Sequence, residues 1–526
     1  MKTSLKIFAL ALLLVGCGSS NQNSAKNAEN KKPADPTVYA NSITSDELKD
    51  MLYIYASDEF EGRETGAPGQ KKAVNYLKAQ YVEMGVPSPL PGDDYFQEVP
   101  LEKQKAPDVN MSINGTALDN YMDFLFLGSV GSQTLNIDEV VYAGYGIDAD
   151  NYSDYKGLDV KGKVVLVKAG EPKDEQGNYV TSGSSENTKW SWGRSSISSK
   201  RDAAKAQGAK AILFYNQEML GQYGGYYKQM AESGRAGRIS LKSNDKPMLF
   251  VMVGDKLAKA IHPDVMASAE PKTIATKINA QITSKAERVD SENVVALIKG
   301  GEKADEIIVI SAHLDHEGIK DGKVYNGADD DGSGTVALLE IAEAFKTAVN
   351  DGYTPKRSIL FLHVTGEEKG LLGSRHYSDN DPIFPLKNTV ADLNIDMIGR
   401  IDPKREGDRN YVYLIGSDKL STELHNISEE VNKKYMNIEL DYTYNDENDP
   451  NRFYYRSDHY NFAKNNIPVI FYFNGTHEDY HQPGDTPDKI EYDLLENRTR
   501  LVFHTAWELA NRDERITVDK AEPAAE

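Results

Sequence analysis

The sequence predicts an α/β protein: a mainly parallel mixed sheet flanked by helices, carrying an inserted β-rich module. Three observations predict it. From Asn293 onward, short apolar strands alternate with amphipathic helices, the pattern of a parallel sheet covered on both faces. Between residues 125 and 285 the texture differs, with short apolar runs set between Gly-rich turns and few helical periods. The chain has 526 residues, more than one hydrophobic core usually organises.

The chain opens on a leader-like segment. Lys2 and Lys6 precede the stretch Ile7 to Gly16, which is apolar but too short to span a bilayer. It runs into Leu14-Val15-Gly16-Cys17, which resembles the lipobox of bacterial lipoproteins, where cleavage precedes the cysteine and its thiol carries a lipid. Residues 1–16 are therefore read as a lipoprotein signal peptide and Cys17 as the lipidation site. Residues 17–37 read as a lipidated, flexible tether, because GSSNQNSAKNAENKKPADPT lacks large apolar side chains to bury. This places the protein in a bacterial cell envelope, lipid-anchored. Gly18 after the cysteine favours the outer membrane, facing the periplasm or the surface. No other stretch reaches about 18 apolar residues, so the membrane contact is through the lipid alone. Cys17 is the one cysteine, which excludes disulfides and thiolate metal sites.

The folded body begins after the tether. Residues 38–124 read as the first part of the α/β unit. Ser45-Asp46-Glu47-Leu48 offers a helix cap and an acidic first turn. A helix is expected from about Gln70 to Met84, where Val74, Leu77, Tyr81 and Met84 form one apolar face. Residues 125–285 form the insert, with strands at VVYAGYGI, KVVLVKAG, AKAILFYN and KPMLFVMV, a helix at Ser199 to Gln207, and Gly221 to Tyr227 as exposed loop. Residues 286–516 carry strands at 307–311, 359–365, 390–398, 411–416 and 468–473. Their helices are expected at about 334–349, 370–377, 421–434 and 493–512. Residues 517–526 read as a loose polar tail.

Charge narrows the function. Lys plus Arg number 60 against 81 Asp plus Glu, a net −21, which repels phosphate backbones and argues against a nucleic-acid partner.

Chemistry concentrates at the strand ends of the α/β unit. One strand ends in Ser311-Ala312-His313-Leu314-Asp315-His316, the next in Thr365-Gly366-Glu367-Glu368, and a third in Asn394-Ile395-Asp396. Gly327-Ala328-Asp329-Asp330-Asp331-Gly332 precedes a helix, and Tyr480-His481-Gln482-Pro483-Gly484-Asp485 follows the last strand. Ligand sites in open α/β sheets form outside the carboxyl ends of strands. Gathering so many acids there is repulsive without cations, and imidazoles mixed with carboxylates suit zinc and similar divalent ions.

Together these motifs carry a resemblance. AHLDH (312–316), NGADDDGSG (326–334), GEEKGLLGS (366–374), NIDMIGR (394–400) and the late His481 resemble the co-catalytic di-zinc aminopeptidases. That family comprises secreted bacterial leucyl-type aminopeptidases and is related to glutamate carboxypeptidase II. FEGRETGAPGQKKAVNYL (60–77) extends the likeness, and the insert resembles a protease-associated domain. The resemblance implies the zinc aminopeptidase fold, two Zn2+ ions and peptide substrates. It implies that His313 and Asp396 hold one zinc, Glu368 and His481 the other, and that Asp330 bridges them. Glu367 is implied as general base, Asp315 as the group orienting His313 through its second nitrogen, and the Asp330–Asp331 peptide as cis.

The expected activity is extracytoplasmic hydrolysis of N-terminal residues from peptides, a di-zinc metallopeptidase reaction. Three other readings share the fold. A carboxypeptidase or dipeptidase needs a cationic pocket, for which Arg400, Arg452 and Arg456 are candidates. A glutaminyl cyclase typically uses one zinc. A binding homologue would have lost ligands that this chain keeps. Among other histidines, His316 is expected in a loop or behind the ligands, His363 and His459 in structural roles, and His477 as a weaker competitor of His481.

Overall fold

The computed structural model describes residues 35–128, 130–233, 237–243 and 248–520. The expected signal peptide, Cys17 and most of the expected tether lie outside the described residues. The tether's last three residues do not: Pro36–Ala40 is a short helix, capped by Asp35, which accepts the Thr37 N–H at 3.0 Å. Tyr39 anchors this helix. It is buried and stacks on Trp507, with ring centroids 5.7 Å apart.

A single sheet runs through both units. In the α/β unit its order is Glu439–Asp441, Tyr411–Ile415, Val469–Phe473, Thr389–Ile395, Lys303–His313 and Arg357–Val364. Lys303–His313 pairs in parallel with Thr389–Ile395 and Arg357–Val364, and Thr389–Ile395 in parallel with Val469–Phe473. The order then passes through Lys272–Ile298 into the insert: Gln133–Tyr142, Val164–Lys168, Ala211–Tyr215, Leu249–Val253 and Phe124–Phe126.

Why the central strands read as unbroken apolar runs follows from their burial on both faces. Ile308, Ile310 and Ala312 enter a core formed with the helices Ser45–Tyr55, Pro68–Met84, Gly334–Asn350 and Tyr492–Asn511. Ile307 and Val309 point the other way, into a core with Tyr377 and Phe462. That alternation is the two-residue period of a strand. The insert repeats the scheme: Val164 and Leu166 face one core, Val165 and Val167 the other.

The two units are joined by a ribbon rather than a linker. Phe96–Ile113 pairs antiparallel with Lys272–Ile298 from Phe96↔Val294 to Ile113↔Ile278. Pairing continues through Lys105↔Lys285 and Gln104↔Ala286, so the border expected at 285/286 falls inside a continuous strand. Apolar runs mark strands, but they do not mark which sheet region a long strand serves.

Two expectations need correction. Gly221 to Tyr227 is not a loop; it lies within the helix Gln217–Glu232. Asn216 caps that helix by accepting the Met219 N–H at 2.9 Å. Leu220 and Gly224 form its buried side, and a Cβ at 224 would strike the Tyr121 carbonyl. Of the glycines that suggested a turn, Gly224 therefore serves close packing, while Gly221 and Gly225 face open space. Residues 517–520 are likewise not loose. Ile516 is buried, Thr517 N–H donates to Glu423 at 3.0 Å, and Asp519 accepts the Thr422 N–H at 2.8 Å. Among the described residues, no helix is long and apolar enough to cross a membrane.

Candidate metal centre and active site

Every candidate ligand sits at the same edge of the sheet. His313 ends the strand Lys303–His313, Glu367 and Glu368 follow Arg357–Val364, and Asp396 follows Thr389–Ile395. His481 lies in the loop after Val469–Phe473, and Asp330 in the segment Ala328–Ser333 ahead of the helix Gly334–Asn350. Parallel pairing of these strands puts their carboxyl ends side by side, which brings residues far apart in sequence into one cluster.

Asp330 stands at the centre. Its Oδ1 lies 3.0 Å from His313 Nε2, which is 3.6 Å from Asp396 Oδ1. Its Oδ2 lies 3.0 Å from His481 Nε2, which is 3.3 Å from Glu368 Oε1. One carboxylate thus gives one oxygen to each of two donor groups. Two donors each about 2.0–2.1 Å from a tetrahedral ion lie roughly 3.3 Å apart, so these spacings fit two divalent ions sharing Asp330. A second observation agrees. Asp330 Oδ2, Glu368 Oε1, His313 Nε2 and both ring nitrogens of His316 are buried without a hydrogen-bond partner. Buried polar atoms are normally partnered, so a cluster of orphans facing one another points to a cation.

The charges are strongly shifted. Burial alone would raise Asp330, but His316, His313 and His481 hold it well below the ordinary carboxylate range. Burial pushes Glu367 well above that range; Glu368, Asp396 and Asp458 add to the push and His313 opposes it.

Each acid of the Asp329-Asp330-Asp331 run has a different task. Asp330 faces the donors. Asp331 accepts three backbone N–H groups, from His313 at 3.1 Å, Met397 at 3.1 Å and Gly334 at 2.9 Å. It thereby ties three ligand-bearing segments together. Asp329 accepts the Gly399 N–H at 2.6 Å and pairs with His477 Nε2 at 3.1 Å. His477 is therefore turned to the scaffold, while His481 joins the cluster. Asp485 supports the run by accepting the Asp329 and Asp330 N–H groups. The Asp330–Asp331 peptide is cis.

Asp315 does not act as expected. His313 Nδ1 lies 2.9 Å from the Asp315 backbone carbonyl, whereas the carboxylate is 4.0 Å away. The carboxylate instead accepts the Glu367 N–H at 3.1 Å and the Thr65 hydroxyl at 2.6 Å. The chain turns too tightly after His313 for a side chain two residues on to reach the ring. Its carbonyl reaches, and fixes the tautomer that presents Nε2 to the cluster.

Sequence reading misses two contributors. Arg63 is buried, and its guanidinium donates to the carbonyls of Leu314, Asn326 and Gly327, stitching the His313 and Asp330 loops together. A charged residue between Gly62 and Glu64 gives no sign of burial. His316, expected behind the ligands, lies among them, 3.0 Å from Glu368 Oε1. His363 and His459 are buried elsewhere, on Tyr81 at 2.8 Å and stacked on Phe471 respectively.

A pocket opens over Asp330, Glu367, Asp396 and His481, walled by Met397, Phe453, Phe471, Phe473 and Tyr480. Of the three candidate arginines, Arg400 is paired with Asp479 at 3.2 Å and Arg452 lies over Tyr455 beside a different groove. Arg456 alone of the three lines this pocket, 3.2 Å from the Tyr480 hydroxyl.

A buried carboxylate, Glu367, beside two donor groups sharing one aspartate, at the carboxyl edge of an α/β sheet, is an arrangement suited to metal-assisted hydrolysis. Residues 293–506 match the model of peptidase family M28, and residues 137–261 match that of the PA domain. The chain is 25% identical over 354 residues to probable leucine aminopeptidase 2 of Aspergillus oryzae, covering 67% of this chain and 58% of the relative. It is 25% identical over 345 residues to aminopeptidase YwaD of Bacillus subtilis, covering 62% and 61%. It is 27% identical over 254 residues to the probable lipoprotein aminopeptidase LpqL of Mycobacterium tuberculosis, covering 48% and 39%. The aligned region thus spans about three fifths of the first two relatives' length. A solved aminopeptidase from Aneurinibacillus sp. strain AM-1 aligns with 93% of this chain and 99% of its own at 20% identity and a TM-score of 0.48.

Proposed function

We propose that this chain is a zinc-dependent aminopeptidase that removes N-terminal residues from peptides. The observation that carries the reading is the sharing of Asp330 between two donor groups, with Glu367 beside them on an open pocket. The relatives from Aspergillus oryzae and Bacillus subtilis, described as aminopeptidases, point the same way.

His313, Asp330 and Asp396 would hold one ion, and Asp330, Glu368 and His481 the other. Bound zinc supplies a Lewis acid for the scissile carbonyl and makes water more acidic. Glu367 takes the proton from the attacking water and returns it to the leaving amine. Its backbone is pinned by Asp315, so the carboxylate keeps its place in the pocket wall. Met397, Phe453, Phe471 and Phe473 receive the terminal side chain and exclude water. The carboxylates of Asp330, Asp396 and Glu368 would offset most of the ions' charge, which leaves room for the substrate's ammonium terminus beside Glu367.

Arg456 supports a second reading, a dipeptidase or carboxypeptidase that anchors a terminal carboxylate. Three forms of one short peptide separate the two. For the aminopeptidase, N-acetylation slows cleavage at least about tenfold, on the order of 1.4 kcal/mol, and C-terminal amidation changes little. The reverse pattern on a chromatogram establishes the second reading instead.

We further propose that Cys17 carries a lipid that holds the protein in a bacterial envelope. Support comes from Leu14-Val15-Gly16-Cys17 and from the printed name of the LpqL relative. Cys17→Ser is expected to move the protein out of the membrane fraction with its activity intact. Retention through alkaline extraction refutes the anchor.

A further inference from the structure

We infer that His316 is a fourth protein ligand of the ion held by Glu368, His481 and Asp330, so that the two ions are bound unequally. The inference rests on the di-metal reading above. His316 Nδ1 lies 3.0 Å from Glu368 Oε1 and 3.8 Å from Asp330 Oδ2, spacings like those of the neighbouring donors. Its ring is fully buried, and neither nitrogen has a hydrogen-bond partner. A buried imidazole left without a partner on both nitrogens is costly, unless one of them meets a cation.

The ring's placement is enforced. The His316 N–H donates to the Arg63 carbonyl, and Glu64 forms a bridge to His316. The ring lies against the backbone of Gly327, where a Cβ would stand 2.5 Å from its Cγ. Gly327 also has φ +56°, so glycine is needed there on both counts. His316 is not among the residues lining the pocket, so it approaches the shared oxygens from the protein side and leaves the pocket side free. Glu317 extends the arrangement, with Oε1 3.7 Å from His481 Nδ1, where it favours the tautomer that presents Nε2 to the cluster.

Four protein donors make a closed site of the kind that holds zinc for structure, whereas His313, Asp330 and Asp396 leave a position open. The ion beside His316 is the one retained, and its neighbour exchanges first.

Zinc-loaded full-length protein, dialysed against graded chelator and assayed for metal by mass spectrometry, tests this. Wild type is expected to lose one zinc early and the second late. His316→Ala and His316→Gln are expected to release the second zinc at chelator concentrations at least about tenfold lower. Release curves identical to wild type overturn the inference. X-ray absorption on the one-zinc wild-type form gives an independent reading without a variant. Two imidazoles on the retained ion support His316 as a ligand, and one imidazole refutes it. Wild-type protein that takes up no zinc overturns the di-metal reading itself, a different result from zinc held without His316.

Discussion

The α/β unit and the insert are built on the same device, parallel strands buried on both faces, yet they treat buried polar groups in opposite ways. In the insert most such groups are paired internally, Tyr155 Oη and His262 Nε2 being isolated exceptions among the described residues. Lys200 donates to the carbonyls of Tyr145 at 2.5 Å and Gly170 at 2.7 Å. Glu171 accepts the hydroxyls of Thr181 and Thr188, and Asp154 accepts the Ile147 N–H and the Tyr152 hydroxyl. In the α/β unit the atoms of His313, His316, Asp330 and Glu368 face one another unpaired. Strand topology therefore does not distinguish a chemical centre from a supporting lobe; unpartnered donors and acceptors gathered face to face do.

The largest effect expected from breaking this contrast is at Asp330. Asp330→Ala should lose both zincs together, and His481→Ala mainly one, measured as metal content after dialysis. Equal, small losses from both would remove Asp330 from its central place. Next in size is Glu367→Ala, which should keep both zincs and lower kcat by about 10²–10⁴. Near-normal turnover by that variant would mean another group moves the proton.

Smaller effects concern stability, and here the two regions should respond to pH in opposite directions. Burial pushes Glu340, on the α/β helix Gly334–Asn350, up to about 8, with Glu47 and Glu343 adding to it. Its proton is held more tightly folded than unfolded, so its contribution is complete below about 4.5 and is lost as pH rises through about 8. Glu340→Gln should remove that loss and raise the melting temperature above pH 8 relative to wild type. In the insert, burial draws Lys200 down to about 7, opposed by Asp154 and Glu171. The proton is held less tightly folded, so that contribution is present above about 10.5 and is lost as pH falls through about 7. Lys200→Met should flatten this rise in melting curves between pH 7 and 10. Parallel slopes in the two variants would erase the contrast.

The smallest expected effect is the sharpest test of the insert's passive role. Glu171→Ala leaves two hydroxyls without their acceptor and should cost about 1–2 kcal/mol of stability. Zinc content and kcat should stay at wild-type values. A fall in kcat would tie the insert to the chemistry.

Much of the molecule is legible in its sequence. Alternating apolar strands and amphipathic helices from Asn293 mark the parallel sheet, because a strand buried on both faces must be apolar throughout. His313, Asp330, Glu367, Glu368, Asp396 and His481 stand out because acids crowded at the ends of apolar strands repel one another unless a cation joins them. His316 does not, because its ring direction depends on the Glu64 bridge and the Gly327 backbone, both outside its own strand. Nor does the buried role of Arg63, since a guanidinium satisfied by loop carbonyls leaves no periodic signature. The helix through Gly221 to Tyr227 is hidden for a related reason: its Gly224 answers to the Tyr121 backbone, about a hundred residues earlier.

By itself, then, the sequence determined the residue types at the strand ends and the order of elements that brings them to one edge. Both follow from local pattern: the two-residue strand period, the helical period, and the placement of polar residues just beyond apolar runs. The tertiary structure decided which atom of each residue does what. It assigned the Asp315 carbonyl rather than its carboxylate to His313, Asp331 to three backbone amides, His477 to Asp329, and His316 to the cluster. Hydrogen bonds and metal ligation depend on ångström-scale direction, which arises when loops from separate strands close against one another, and no stretch of sequence contains both sides of that contact.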